Sequence, residues 1–206
     1  MSSTTASRLR TAVRTAAPAV AALTLTMAFA SPASASPALV SIVNGRLTFT
    51  ALPGETNTVT FDTFSAGTLL VTDTTSNLTA GQGCSGSGHT VLCDGEGVTR
   101  IVANLGDRND TAQNDTDLPS ELNGGLGNDI LVGGGGPDRL IDLDGWNGPT
   151  LITVTMIGRG GNDVIVSRNG GFDRIDCGSG FDVLAADRAS RDFLVTPNTC
   201  EIVQRF

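Results

Sequence analysis

Between residues 124 and 141 the chain runs twice, without a break, through the pattern Gly-Gly-x-Gly-x-Asp-x-Leu-x. The first copy is Gly124-Gly125-Leu126-Gly127-Asn128-Asp129-Ile130-Leu131-Val132, and the second is Gly133-Gly134-Gly135-Gly136-Pro137-Asp138-Arg139-Leu140-Ile141. This period constrains the fold more than any bulk property does, because one such unit cannot bury its apolar side chain alone and must stack on others. Its glycines allow positive φ and a close approach of neighbouring carbonyls. The last three residues of each copy read as a short strand whose middle side chain, Leu131 or Leu140, points inward. The expected fold is all-β: a parallel β-roll or β-solenoid of Gly-rich nonapeptides, preceded by a β-rich N-terminal segment.

Degenerate copies extend the array. Gly158-Arg159-Gly160-Gly161-Asn162-Asp163-Val164-Ile165-Val166 keeps the fourth-position glycine, the aspartate and the aliphatic. After a one-residue slip Gly171, Asp173 and Ile175 take those three roles, and Gly180, Asp182 and Leu184 repeat them nine residues later. Upstream, Leu105-Gly106-Asp107-Arg108-Asn109-Asp110-Thr111 is a frayed copy with Arg108 in place of glycine. Gly145 and Asn147 sit in phase with the perfect pair, but Asn147 lacks the charge and the insert through Met156 breaks the register.

These motifs resemble the hemolysin-type calcium-binding repeats, the RTX family, over roughly residues 101–200. The resemblance implies a two-sided roll with two nonapeptides per coil, and a calcium ion between stacked turns, bridged by the aspartates of both. Calcium takes six to eight oxygens from carboxylates and carbonyls. The candidate ligands are the carboxylates of Asp110, Asp129, Asp138, Asp163, Asp173 and Asp182, with the backbone carbonyls of Gly125, Gly127, Gly134 and Gly136. Asp110 and Asp129 are 19 residues apart, as are Asp163 and Asp182, so each pair is expected to stack on one side with one inserted residue. Asp138 has no evident same-side partner, because the array is interrupted after it. Many secreted bacterial chains of the family end in a Cys-Gly-x-Gly-x-Asp repeat and a later cysteine before glutamate, matched here by Cys177 to Asp182 and by Cys200-Glu201.

Residues 1–35 read as a secretory signal peptide: Arg8, Arg10 and Arg14 precede an apolar run from Ala16 to Ala30, and Ala33-Ser34-Ala35 is an Ala-x-Ala cleavage site. Secretion to the extracellular space is therefore expected, with no membrane insertion once the signal is removed. Removing three arginines and no acids leaves 10 arginines against 21 acids, a net charge of −11. Such a surface repels nucleic acid and attracts divalent cations. The four cysteines suit an oxidising compartment. They allow three pairings, and Cys84–Cys93 with Cys177–Cys200 is preferred because each closes a short loop within one segment. Zinc spacing is absent.

The remaining organisation follows from turn signals. Residues 36–103 alternate in part (Val40, Ile42, Leu47, Phe49, Val59, Phe61, Leu69, Val71) between Asn44-Gly45, Pro53-Gly54 and Ala66-Gly67. They are expected to form either a small sandwich or early solenoid coils; without a linker, one continuous β-structure is favoured. Residues 104–184 carry the repeats and 185–206 form a disulfide-closed cap, with short strands expected at Phe193–Val195 and Ile202–Val203.

Other chemistry is weakly signalled. His89, the sole histidine, lies inside the first disulfide loop without a Gly-x-Ser-x-Gly elbow. Asp142-x-Asp144-Gly145 is a fragment of an EF-hand loop, with Thr153 where the bidentate glutamate belongs. Trp146 is expected to pack against the insert. Neither a P-loop nor a dinucleotide fingerprint is satisfied, and the chain has no lysine. The expected function is a non-enzymatic calcium-binding protein. Two alternatives stand beside it: an adhesion module whose partner is a cell-wall glycan or another extracellular protein, and a small polysaccharide-acting enzyme.

Overall fold

The computed structural model describes residues 37–142, 155–195 and 199–206. The expected signal segment 1–35 and Asp144, Gly145, Trp146, Asn147 and Thr153 of the insert lie outside the described residues. Among the described residues are eighteen strands and no helix. In chain order the first nine are β1 (Ala38–Val43), β2 (Arg46–Thr50), β3 (Thr58–Ser65), β4 (Thr68–Asp73), β5 (Leu78–Ala80), β6 (Cys84–Gly88), β7 (Thr90–Asp94), β8 (Arg100–Asn104) and β9 (Thr111–Asn114). The rest are β10 (Ser120–Asn123), β11 (Ile130–Val132), β12 (Arg139–Ile141), β13 (Met156–Ile157), β14 (Val164–Ser167), β15 (Arg174–Asp176), β16 (Val183–Ala186), β17 (Phe193–Leu194) and β18 (Ile202–Arg205).

Two parallel stacks carry the repeats. Strands β2, β8, β10, β12, β14, β16 and β18 form one, and β3, β9, β11, β13, β15 and β17 the other. The chain alternates between them, so each coil contributes one strand per side. Stacked core residues are 18 apart at Leu122 and Leu140, 19 apart at Ile165 and Leu184, and 25 apart at Leu140 and Ile165. The insert after Asp142 is therefore bypassed without loss of register: Arg139 to Ile141 still pair in line with Val164 to Val166.

The core is two rows of side chains, one from each stack. One row is Phe49, Ala103, Leu122, Leu140, Ile165, Leu184 and Val203; the other is Val59, Ala112, Leu131, Met156, Ile175 and Leu194. Except for Val203 and Leu194 at the last coil, every member is buried. Each buried aliphatic adds about 1.5–3 kcal/mol relative to exposure, and the period of two along each strand sends its neighbours to the outer face. The N-terminal coil is wide enough for aromatics, and Phe49 and Phe61 meet edge to face at 6.2 Å between ring centroids.

Residues 62–99 depart from the roll. β3 turns back into β4, β4 pairs antiparallel with β7, β7 with β6 and β6 with β5, while β5 lies parallel to β1 and β1 antiparallel to β2. These pairings join the two stacks over the N-terminal end, giving one unbranched sheet that runs down one side, across the top and down the other. The first disulfide, Cys84–Cys93, joins two directly paired residues of β6 and β7, and the second, Cys177–Cys200, ties the last coil to the one before it. Both bridges follow the preferred pairing, and they fit an oxidising environment.

Candidate metal centre on two carboxylate ladders

In the repeat coils the residue two positions before the core side chain stands just ahead of its strand or, at Ser120, opens it; before Phe49 and Ala103 that residue, Leu47 or Ile101, lies inside β2 or β8. In the first stack, from β10 onward, these positions are Ser120, Asp138, Asp163, Asp182 and Glu201, and among the described residues of the second they are Asn57, Asp110, Asp129, Asp173 and Asp192. Turn positions of successive coils thus fall into two ladders. Within each ladder a side-chain oxygen accepts the backbone N–H of the residue one coil earlier. Asp110 Oδ1 takes the Asn57 amide at 2.7 Å and Asp129 Oδ1 the Asp110 amide at 2.8 Å. Asp138 Oδ1 takes Ser120, Asp163 Oδ1 takes Asp138 at 2.8 Å, Asp182 Oδ1 takes Asp163 at 2.8 Å, and Glu201 Oε2 takes Asp182 at 2.7 Å. Asp192 Oδ1 accepts from Asp173 at 3.3 Å. The aspartate of the repeat is therefore a cap for amides that the sheet leaves unpaired.

The glycines fit between coils. A Cβ on Gly125 or Gly127 would lie 2.1 Å from the Gly106 carbonyl oxygen or 1.6 Å from that of Arg108, and one on Gly134 or Gly136 would lie 2.3 Å from Thr116 O or 2.5 Å from Asp117 O. The first glycine of each unit cradles its own aspartate: a Cβ there would sit 2.3 Å from Asp129 Oδ2 at Gly124, 2.5 Å from Asp138 Oδ2 at Gly133 and 2.4 Å from Asp163 Oδ2 at Gly158. Arg108, which replaces a glycine in the frayed copy, is forced to φ 90°, a conformation side chains rarely adopt.

The second carboxylate oxygens divide the ladder. Asp138 is fully satisfied, its Oδ1 holding both the Ser120 amide and hydroxyl at 2.7 Å and its Oδ2 the Gly134 amide at 2.5 Å. Asp173 is satisfied too, by the Thr155 hydroxyl and the Asn169 side-chain amide. Asp110, Asp163 and Asp182 each keep a buried Oδ2 without a hydrogen-bond partner. Asp163 and Asp182 are adjacent rungs, so two such oxygens belong to consecutive coils. Burial raises the affinity of these carboxyls for protons: Asp110 and Asp163 are pushed up to about 7, chiefly by desolvation, with Asp129 adding repulsion at the first and Asp138 and Asp182 at the second. Desolvation likewise raises Asp138, Asp173 and Asp182, and takes Asp192 to about 6.

Every candidate aspartate falls on a ladder. Asp110 stacks beside Asp129 and Asp163 beside Asp182, as the 19-residue spacing predicts. Asp138 does not stand alone: the roll resumes beyond the insert and places it between Ser120 and Asp163. Asn57, Ser120, Asp192 and Glu201 complete the ladders without being legible as repeats, although Asp192 follows Asp173, and Glu201 follows Asp182, by the same 19 residues.

The donors match a hard cation in kind, being buried carboxylate oxygens with spare lone pairs. Among the described residues no three acidic, histidine or cysteine side chains converge on one point. An ion would therefore take two carboxylates from adjacent rungs and its other oxygens from backbone carbonyls and water. No family model, curated protein or solved structure matches the chain.

Proposed function

We propose that this is a secreted, non-enzymatic calcium-binding β-roll of the hemolysin-type repeat kind, the ions being held against the two carboxylate ladders. The observation that supports it is the pair of buried, partly unsatisfied carboxylates at Asp163 and Asp182 on consecutive coils. Two anions so placed are repelled by each other and by burial, and a shared divalent cation relieves both costs. Asp110 and Asp129 likewise stand on consecutive coils, with the Oδ2 of Asp110 buried, whereas Asp138 and Asp173 serve mainly as internal caps. Extracellular calcium modules bind at about 10⁻⁴–10⁻³ M, a range that an external ion pool saturates. Acids repeating with the backbone period suit ion binding, while an enzyme needs an asymmetric group of residues. Calorimetric titration with calcium tests the reading. Binding near one or two ions per chain is expected, with one ion fewer in Asp163→Asn/Asp182→Asn; no heat in the wild type refutes it.

A further inference from the structure

The unbranched sheet leaves both of its edges at one end of the roll. Among the described residues only β17 and β18 have a neighbour on one side alone, while β1, β4, β5, β6 and β7 close the other end. The Ile202 amide donates to Asp182 O at 3.0 Å and that of Phe206 to Ala186 O at 3.2 Å. Backbone groups alternate in direction along a strand, so the amides and carbonyls of Val203 and Arg205 face away from β16. On β17 the Phe193 and Val195 amides point back to Asp173 O and Ile175 O, which leaves those of Leu194 facing out. Both core rows end here, in the half-buried Val203 and Leu194. Phe193, Ile202 and Phe206 are 51%, 40% and 54% exposed beside them.

We propose that this open end binds a second copy of the chain, through antiparallel pairing of β18 with its two-fold mate centred on Val203. Hydrogen-bonded pairs form only between residues whose amide and carbonyl both point outward, which limits them to positions 201, 203 and 205. Centring on Val203 sets Glu201 opposite Arg205 of the second copy, and the symmetry makes that opposite-charge pair twice. Shifting the centre by one residue pairs Glu201 with valine, or valine with Arg205, and loses both. Across the same axis the core row of β18 continues into its counterpart, Val203 against Val203. Because the far end of the roll has no free strand among the described residues, addition is expected to stop at two copies instead of propagating as a fibre. The proposal does not depend on calcium.

Sedimentation equilibrium on the full chain, disulfides intact, tests it. The expected mass rises with concentration to a plateau at twice that of the single chain. Val203→Pro removes an outward-facing amide that no strand among the described residues uses, so melting is retained while dimerisation weakens roughly tenfold or more. Arg205→Glu weakens it as well, and more at low salt than at high. In the wild type, hydrogen exchange at the Val203 and Arg205 amides slows with rising concentration, which decides the matter even if a variant fails to fold. A single-chain mass at every concentration overturns the proposal, as do a mass that grows beyond two copies and a folded Val203→Pro that dimerises undiminished.

Discussion

Adding one methyl group at Gly127 measures how closely the coils stack. A Cβ there meets the Arg108 carbonyl oxygen at 1.6 Å, and the residue holds φ +134°. Gly97 provides the contrast, with φ +76° and nothing within 4 Å of a built Cβ. At Gly97, alanine brings only the left-handed penalty of about 1–2 kcal/mol. At Gly127 it brings backbone strain of about 1–3 kcal/mol, and the coils must also part, which overpacking data place at about 1–3 kcal/mol. The sum for Gly127→Ala is about 2–6 kcal/mol, with a midpoint of about 4 kcal/mol. For a domain of this size each kcal/mol moves Tm by about 2–4 °C, so Gly127→Ala is expected to melt about 10–15 °C below wild type and Gly97→Ala about 4 °C below. Thermal circular dichroism in chelator measures both without a contribution from bound ions. If the two variants melt within about 3 °C of each other, steric contact between coils is not what the repeat glycines provide, and the stacking argument fails.

Three further outcomes follow from the ladders and bridges. In chelator, Tm is expected to rise as pH falls from 8 towards 5: Asp110 and Asp163, at about 7, bind protons more readily folded than unfolded, so stability increases as pH drops through that value and levels off near the unfolded pKa of about 4; a Tm that falls over this window contradicts buried, strained carboxylates. At pH 8, Asp163→Asn/Asp182→Asn is expected to melt higher than wild type in chelator and to lose part of the calcium-induced rise, and a lower Tm in chelator shows that the charges stabilise the fold by themselves. Replacing Cys177 and Cys200 by serine opens a 23-residue separation and is expected to cost about 3 kcal/mol, or roughly 6–12 °C in Tm; an unchanged melt means that the last coil is held by its strands alone.

The roll itself was legible because its signal is periodic. Leu131 and Leu140 announce strands nine residues apart, and the 19-residue interval puts Asp110 over Asp129 and Asp163 over Asp182. The interval also contained Asp192 and Glu201, but neither is preceded by the glycines that mark a unit. Asp138 was misread for a different reason. Sequence distance treats an insert as a break, whereas a sheet needs only that the strands on either side of it resume in register, as β12 and β14 do. The N-terminal excursion was seen only as short strands with turns, because antiparallel pairing such as β4 with β7 depends on contacts that no period encodes. Which carboxylates keep a spare oxygen was not legible at all: Asp138 and Asp163 look identical as motif members, and the difference lies in the Ser120 hydroxyl and Gly134 amide that reach the first.

A sheet that doubles back over one end has a built-in order of assembly. Synthesis delivers the sealed end first, and every later coil then has a finished template to add to, one strand per side, in the sequence in which it emerges. Loss runs the other way. The final turn peels before the one beneath it, like thread from a spool, and Cys177–Cys200 is the knot that keeps the loose end from starting.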